Sequence, residues 1–126
     1  MPVANYDDVP KILMRAGVTG RWISGHEQGA ASVGVLRNWV EPNVSAPRHL
    51  HEHEEIVLVE RGEMWVEFDG ERHRGQPGRA LIIPPRTVHA WGTLQDKAQV
   101  LFIWPTPDPF ADGKSTYLDG TPPVTE

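Results

Sequence analysis

The chain has no cysteine among its 126 residues, which excludes a disulfide scaffold, a thiolate zinc site and a cysteine nucleophile. It also lacks any apolar run approaching the roughly 20 residues that a membrane-spanning helix needs. Lysine is scarce: three Lys stand beside nine Arg, and 17 Asp and Glu outnumber them for a net charge of −5. That balance argues against a nucleic-acid partner held by phosphate contacts. The arginine bias suits planar, bidentate anion recognition, strand-surface arginine being its plainer use. Met1 to Asp8 contain no basic segment followed by an apolar stretch, so no secretory signal is expected there. The expectation is one soluble cytoplasmic domain with no membrane partner.

What the chain does have is punctuation. Twelve glycines and twelve prolines are spread along it and leave no room for several amphipathic helices. Short apolar stretches between such residues are the composition of an all-β sandwich or barrel. Strands are expected at 19–24, 32–40, 55–60, 63–69, 71–74, 79–83, 87–92 and 98–104. In 63–69, Met64, Val66 and Phe68 alternate with Glu63, Glu67 and Asp69, the period of a half-buried strand. Asp69-Gly70 is a two-residue hairpin signal, and Pro42-Asn43 another turn. About eight short strands is the number for a jelly roll. Residues 1–18 are expected as an N-terminal arm, 19–104 as the barrel, and the Pro-rich 105–126 as a tail packed on its outside.

Chemistry concentrates in the histidines at 26, 49, 51, 53, 73 and 89. His49-Leu50-His51 places two imidazoles on one strand face, about 6–7 Å apart along the chain, so that both reach a single ion. Glu55 keeps that parity at the start of the next strand, and His89 is the one later histidine placed mid-strand. Shifting the pair to His51 and His53 would need an acid where Val57 and Leu58 stand. The His-Glu dipeptides lack the second histidine of a helical H-E-x-x-H zinc site, and no G-x-S-x-G elbow or phosphate-binding glycine loop occurs. His53 reads as a rim residue or proton shuttle, and His26 and His73 as surface residues.

These residues resemble the two motifs of the cupin superfamily. The first is similar to G-x5-H-x-H-x3-E-x6-G, with Asn43 in the place of the first glycine, then His49, His51, Glu55 and Gly62. The second is similar to G-x5-P-x-G-x2-H-x3-N, met by Gly78, Pro84 and His89, with Arg86 for the glycine and Thr93 for the asparagine. Asn43 is a mild change because Asn enters the left-handed region. Arg86 calls for a corner without positive φ, which Pro84-Pro85 is expected to provide. The resemblance implies a single jelly-roll, cupin-type β-barrel in which His49, His51, Glu55 and His89 hold a divalent transition metal: Fe, Mn, Zn, Ni or Cu.

Three neutral imidazoles and one carboxylate around a divalent ion leave about one positive charge, which suits an anionic, bidentate oxygen ligand. A metal-dependent enzyme acting on a small oxygenated organic acid, enol or diketone-like metabolite is therefore expected. The resemblance tilts it toward a dioxygenase; a redox-neutral isomerase or lyase, a non-catalytic small-ligand-binding protein and a merely structural ion are the alternatives. Arg48 and Arg86 flank the ligands and read as holding a substrate carboxylate or, more plainly, as forming surface salt bridges, with His53 beside them. Trp91 shares the parity of His89 and reads first as a core aromatic, with a place in the pocket wall as the functional alternative. A homodimer is implied by the resemblance, with Trp39 and Trp65 between subunits.

Overall fold

The computed structural model describes residues 2–126. Among them are eleven strands, two short 3₁₀ turns (Tyr6–Asp8 and His26–Gln28) and no α-helix. The strands are β1 (Ile12–Arg15), β2 (Val18–Ser24), β3 (Gly34–Val40), β4 (Ser45–His51), β5 (Glu55–Gly62), β6 (Met64–Phe68), β7 (Glu71–Gly75), β8 (Ala80–Ile83), β9 (His89–Gly92), β10 (Ala98–Trp104) and β11 (Ser115–Tyr117). They form two antiparallel sheets, ordered β1-β2-β3-β10-β5-β8 and β11-β4-β9-β6-β7. Strands distant in sequence lie side by side, as in a jelly roll. The two sheets face each other without closing into one continuous hydrogen-bonded cylinder. No helix is long and apolar enough to cross a membrane.

Alternation builds the interior. Over seven residues each, β3 and β10 switch strictly between buried and half-buried, turning Leu36, Val40, Val100, Phe102 and Trp104 inward. Val57, Val59, Met64 and Val66 meet them from β5 and β6. Burying one such side chain is worth about 1.5–3 kcal/mol, so the shared core is what holds the sheets together. The hairpin at Asp69-Gly70 forms as expected: both residues have positive φ, 55° and 74°, the geometry of a two-residue type I′ turn. Asn43 likewise sits at φ 57°.

Four local features depart from the sequence reading. The expected N-terminal arm contributes a strand, β1, paired with β2. The expected tail contributes β11, which pairs with β4 so that Ser115 faces His51 and Tyr117 faces His49. Between Ala46 and His49, β4 carries one extra residue against β9. This bulge falls at Pro47, which has no N–H to give a ladder. It resets the parity, so Ala46 and His49 are both buried although three residues apart. Arg86 is a correction: it adopts φ 57°, so the double proline does not spare it the left-handed region. Its N–H donates to the His51 carbonyl at 2.8 Å, which fixes the corner to β4.

Candidate metal centre

Four side chains converge from three strands. His49 and His51 end β4, Glu55 opens β5 and His89 opens β9, directly opposite His49 in the ladder. All four are buried, with 2–3% of their surface exposed. The three histidines bring ligating nitrogens within 4.8 Å of one another. Glu55 Oε2 lies 2.8 Å from His89 Nε2 and 3.7 Å from His51 Nε2.

Each ring has its Nδ1 committed elsewhere. His49 Nδ1 donates to the Pro47 carbonyl at 2.7 Å, and His89 Nδ1 to the Thr87 carbonyl at 2.9 Å. His51 Nδ1 lies 2.6 Å from Ser115 Oγ. The Ser115 hydroxyl itself donates to the Pro109 carbonyl at 2.6 Å, so it accepts the proton of His51. With Nδ1 carrying the hydrogen in every ring, the Nε2 lone pairs face the shared centre. Hydrogen bonding of the outer nitrogen orients a ring and raises its basicity as a metal ligand. Ser115 was not legible as a participant, because nothing in its local sequence distinguishes it from a loop serine.

Burial and mutual charge perturb every titratable group of the cluster. Burial, reinforced by the His89 charge, pushes His49 down to about 3. Burial lowers His51 as well, against the attraction of Glu55. Full burial would raise the Glu55 carboxyl, but the facing His51 and His89 rings outweigh it and hold the group at about 2. For His89, burial is overcome by the Glu55 charge and proximity, so its pKa rises. Glu55 Oε2 and His89 Nε2 approach to 2.8 Å, yet neither has a hydrogen-bond partner of acceptable geometry. A proton between them is therefore poorly directed. A divalent ion taking both lone pairs satisfies both buried atoms, and three imidazoles with one carboxylate is a donor set for Fe, Mn, Zn, Ni or Cu.

The centre opens into a hollow of about 370 Å³, mouth included. Aromatic side chains make much of its wall: Trp91, Phe102, Trp104, Phe110 and Tyr117. Trp91 thus lies where its parity put it, 5.5 Å from the Phe102 ring. Trp104 is buried and its Nε1–H has no acceptor. Tyr117 stacks on His49 at 4.9 Å, and burial pushes its hydroxyl up, so it stays protonated.

The expected arginines are elsewhere. Arg48 alternates outward between two regions of β4, is 58% exposed and pairs with Asp119 at 2.6 Å. Arg86 is exposed on the corner and borders the same outer depression as Arg48. Neither lines the hollow: Arg48 points outward because it sits between inward residues on a strand, and Arg86 lies on the exposed turn between β8 and β9. His53 lies in the β4–β5 connection, half-buried, and is not among the lining residues. Instead Arg15 lines the hollow. Thr93 is tied into the fold, donating to the Glu41 carbonyl at 2.6 Å. Trp39 and Trp65 lie under cations of their own chain, Lys11 at 4.5 Å and Arg72 at 4.0 Å.

Comparison with known proteins agrees with this geometry. Among solved structures, the polyketide cyclase RemF from Streptomyces resistomycificus superimposes with a TM-score of 0.79 at 23% identity, over 96% of this chain and 87% of that one. KdgF from Halomonas sp. gives 0.72 at 23% identity, over 86% and 97%. Oxalate decarboxylase from Bacillus subtilis gives 0.75 at 17% identity, over 92% of this chain and 32% of that one. No curated protein sequence matches significantly. The family model described as "Cupin domain" matches residues 39–105, more than half of the sequence, from the end of β3 through β10, which includes His49, His51, Glu55 and His89. The chain belongs to the cupin family.

Proposed function

We propose that the protein is a metal-dependent enzyme acting on a small oxygenated organic acid, enol or diketone-like metabolite. The observation that carries the reading is the set of three imidazoles whose Nδ1 atoms are all committed, leaving Nε2 and Glu55 directed into an aromatic-walled hollow. A divalent ion held there supplies Lewis acidity toward a substrate oxygen that develops negative charge. His49, His51 and His89 stay neutral as ligands, and Glu55 lowers the local charge to about plus one, which leaves the centre attractive to an anionic oxygen. The apolar walls exclude water and strengthen each polar contact inside. Tyr117 stacks on His49 and lines the hollow beside the three rings.

A redox-neutral isomerase, cyclase or lyase step is the reading placed first. What supports it is that the similar solved structures include a polyketide cyclase, an oxalate decarboxylase and a DMSP lyase. A dioxygenase is the second reading, and it requires a redox-active metal. Metal-loaded protein incubated with diketones, catechols and 2-oxo acids separates them: product without O₂ uptake supports the first, and product with matching O₂ uptake replaces it with the second. Binding without turnover reduces the protein to a ligand-binding cupin.

A second copy of this chain is proposed as the partner of the larger sheet. Its outer face carries an apolar row across four strands, Val35–Ile103–Ile56–Ile82 in register. Beside that row lies the Arg37–Glu60 pair at 2.7 Å. A strip bearing both charge signs next to an apolar row is self-complementary across a two-fold axis.

A further inference from the structure

We propose that Arg15 is the anion-binding residue of the hollow, and that the substrate carries a carboxylate about one ring-width from the oxygens it presents to the metal centre. The inference rests on the proposed function and adds the substrate class. Five of the nine arginines are neutralised on outer surfaces: Arg21 by Asp7, Arg37 by Glu60, Arg48 by Asp119, Arg72 by Glu67 and Arg74 by Glu63. Arg15 differs. It lines the hollow, and among the described residues no carboxylate comes within 4.0 Å of it. Its hydrogen bond is to the Thr121 carbonyl at 3.4 Å, which is long for a charged donor. That hydrogen bond is on the exposed side of the guanidinium, and among the described residues Arg15 is the one arginine without a carboxylate partner that also borders the hollow, so its donors remain open to an anionic ligand.

The distances set the spacing. Arg15 Cζ lies 6.0 Å from the centre of the Tyr117 ring, and that ring stacks at 13° and 4.9 Å on His49. The guanidinium therefore stands one aromatic ring away from the first metal-ligating residue. Trp91, Phe102 and Trp104 wall the same space, which fits a flat, conjugated body. A divalent ion, Glu55 and Arg15 together give the hollow a charge near plus two in a protein of net charge −5. The hollow is thereby the place on the molecule that selects an anion.

Zinc-loaded protein, titrated calorimetrically with 3,4-dihydroxybenzoate and with its neutral isostere 3,4-dihydroxybenzamide, tests this. Both probes offer the same chelating oxygens, and only one bears the remote carboxylate. The wild type should prefer the acid at least tenfold. Arg15→Gln should erase that preference with zinc content unchanged, Arg15→Lys should retain most of it, and Arg86→Gln should leave it intact. Equal affinity for the two probes, a preference surviving in Arg15→Gln, or no binding of either probe to the zinc-loaded wild type overturns the assignment. Elemental analysis before titration keeps the two claims apart: protein that retains no zinc removes the proposed function itself, whereas zinc-loaded protein that ignores the carboxylate removes Arg15 alone.

Discussion

Replacing Ser115 by alanine removes the one hydroxyl that links the histidine cluster to the C-terminal segment. Two hydrogen bonds disappear, His51 Nδ1–H to Ser115 Oγ and Ser115 O–H to the Pro109 carbonyl, each 2.6 Å long. His51 is 3% exposed, so water does not readily replace the lost acceptor. Leaving a buried donor unsatisfied costs about 1–3 kcal/mol. Loss of the partner that orients a metal-ligating histidine typically weakens metal binding by about 10–100-fold, which is the same energy seen from the metal's side. Zinc affinity measured by competition with a chromophoric chelator should fall by that factor in Ser115→Ala. Ser115→Thr, which keeps the hydroxyl on a strand where β-branching is tolerated, should stay close to wild type. Thr116→Ala, exposed on the other face of β11, should change nothing. A Ser115→Ala protein with native circular dichroism and zinc affinity within twofold of wild type would refute the claim that β11 belongs to the metal centre.

Other consequences can be measured on the same protein. Arg86→Gly should raise stability by up to about 1 kcal/mol in urea melts, since glycine removes the left-handed penalty at φ 57° and gives back part of the gain as chain entropy. Gly62→Ala should cost several-fold more than that, about 3 kcal/mol or above: its φ is 77° and an added Cβ would lie 1.9 Å from the Lys97 carbonyl oxygen. Metal-free protein should gain stability as pH rises from 4 to 6. His49 is held down to about 3 from an ordinary 6.5, so over that range the unfolded chain binds one more proton, worth about 1.4 kcal/mol per pH unit. His51 acts in the same direction, while the raised His89 adds stability only below its folded pKa and loses it above. A flat profile between pH 4 and 6, or one unaltered in His49→Gln, would contradict the buried neutral ring. Ile103→Arg, placed in the middle of the apolar row, should convert a dimer to monomer in sedimentation equilibrium; a wild type that sediments as a monomer removes the proposed partner.

The convergence of His49, His51 and His89 was legible in the sequence, in part from strand alternation and in part from the cupin-like motif spacing. Strand periodicity accounts for the His49 and His51 pair, whereas placing Glu55 and His89 with it rested on the resemblance to the cupin motifs, because His89 reaches the pair through the non-local β4–β9 pairing. Trp91 followed from the same parity. What escaped was contributed by the ends of the chain. β11 is three residues long in a segment with five prolines, too short to show alternation, so Ser115 and Tyr117 gave no sign of facing His51 and His49. Arg15 lies on a four-residue strand that looked like an arm. The bulge at Pro47 altered the parity of β4 without a signal strong enough to predict, although its proline is consistent with it. The arginine clamp was sought next to the ligands in sequence, and alternation turns such neighbours outward; the hollow's own arginine comes from more than thirty positions earlier.

The account stands or falls on whether Nε2 of His49, His51 and His89 and the carboxylate of Glu55 share one ion. Anomalous scattering from a crystal of zinc-loaded protein decides it. The expected result is a single strong peak bound by those four groups at about 2.0–2.2 Å. A peak on the outer face near Arg48 and Arg86, or no peak with Glu55 and His89 still in direct contact, would contradict it.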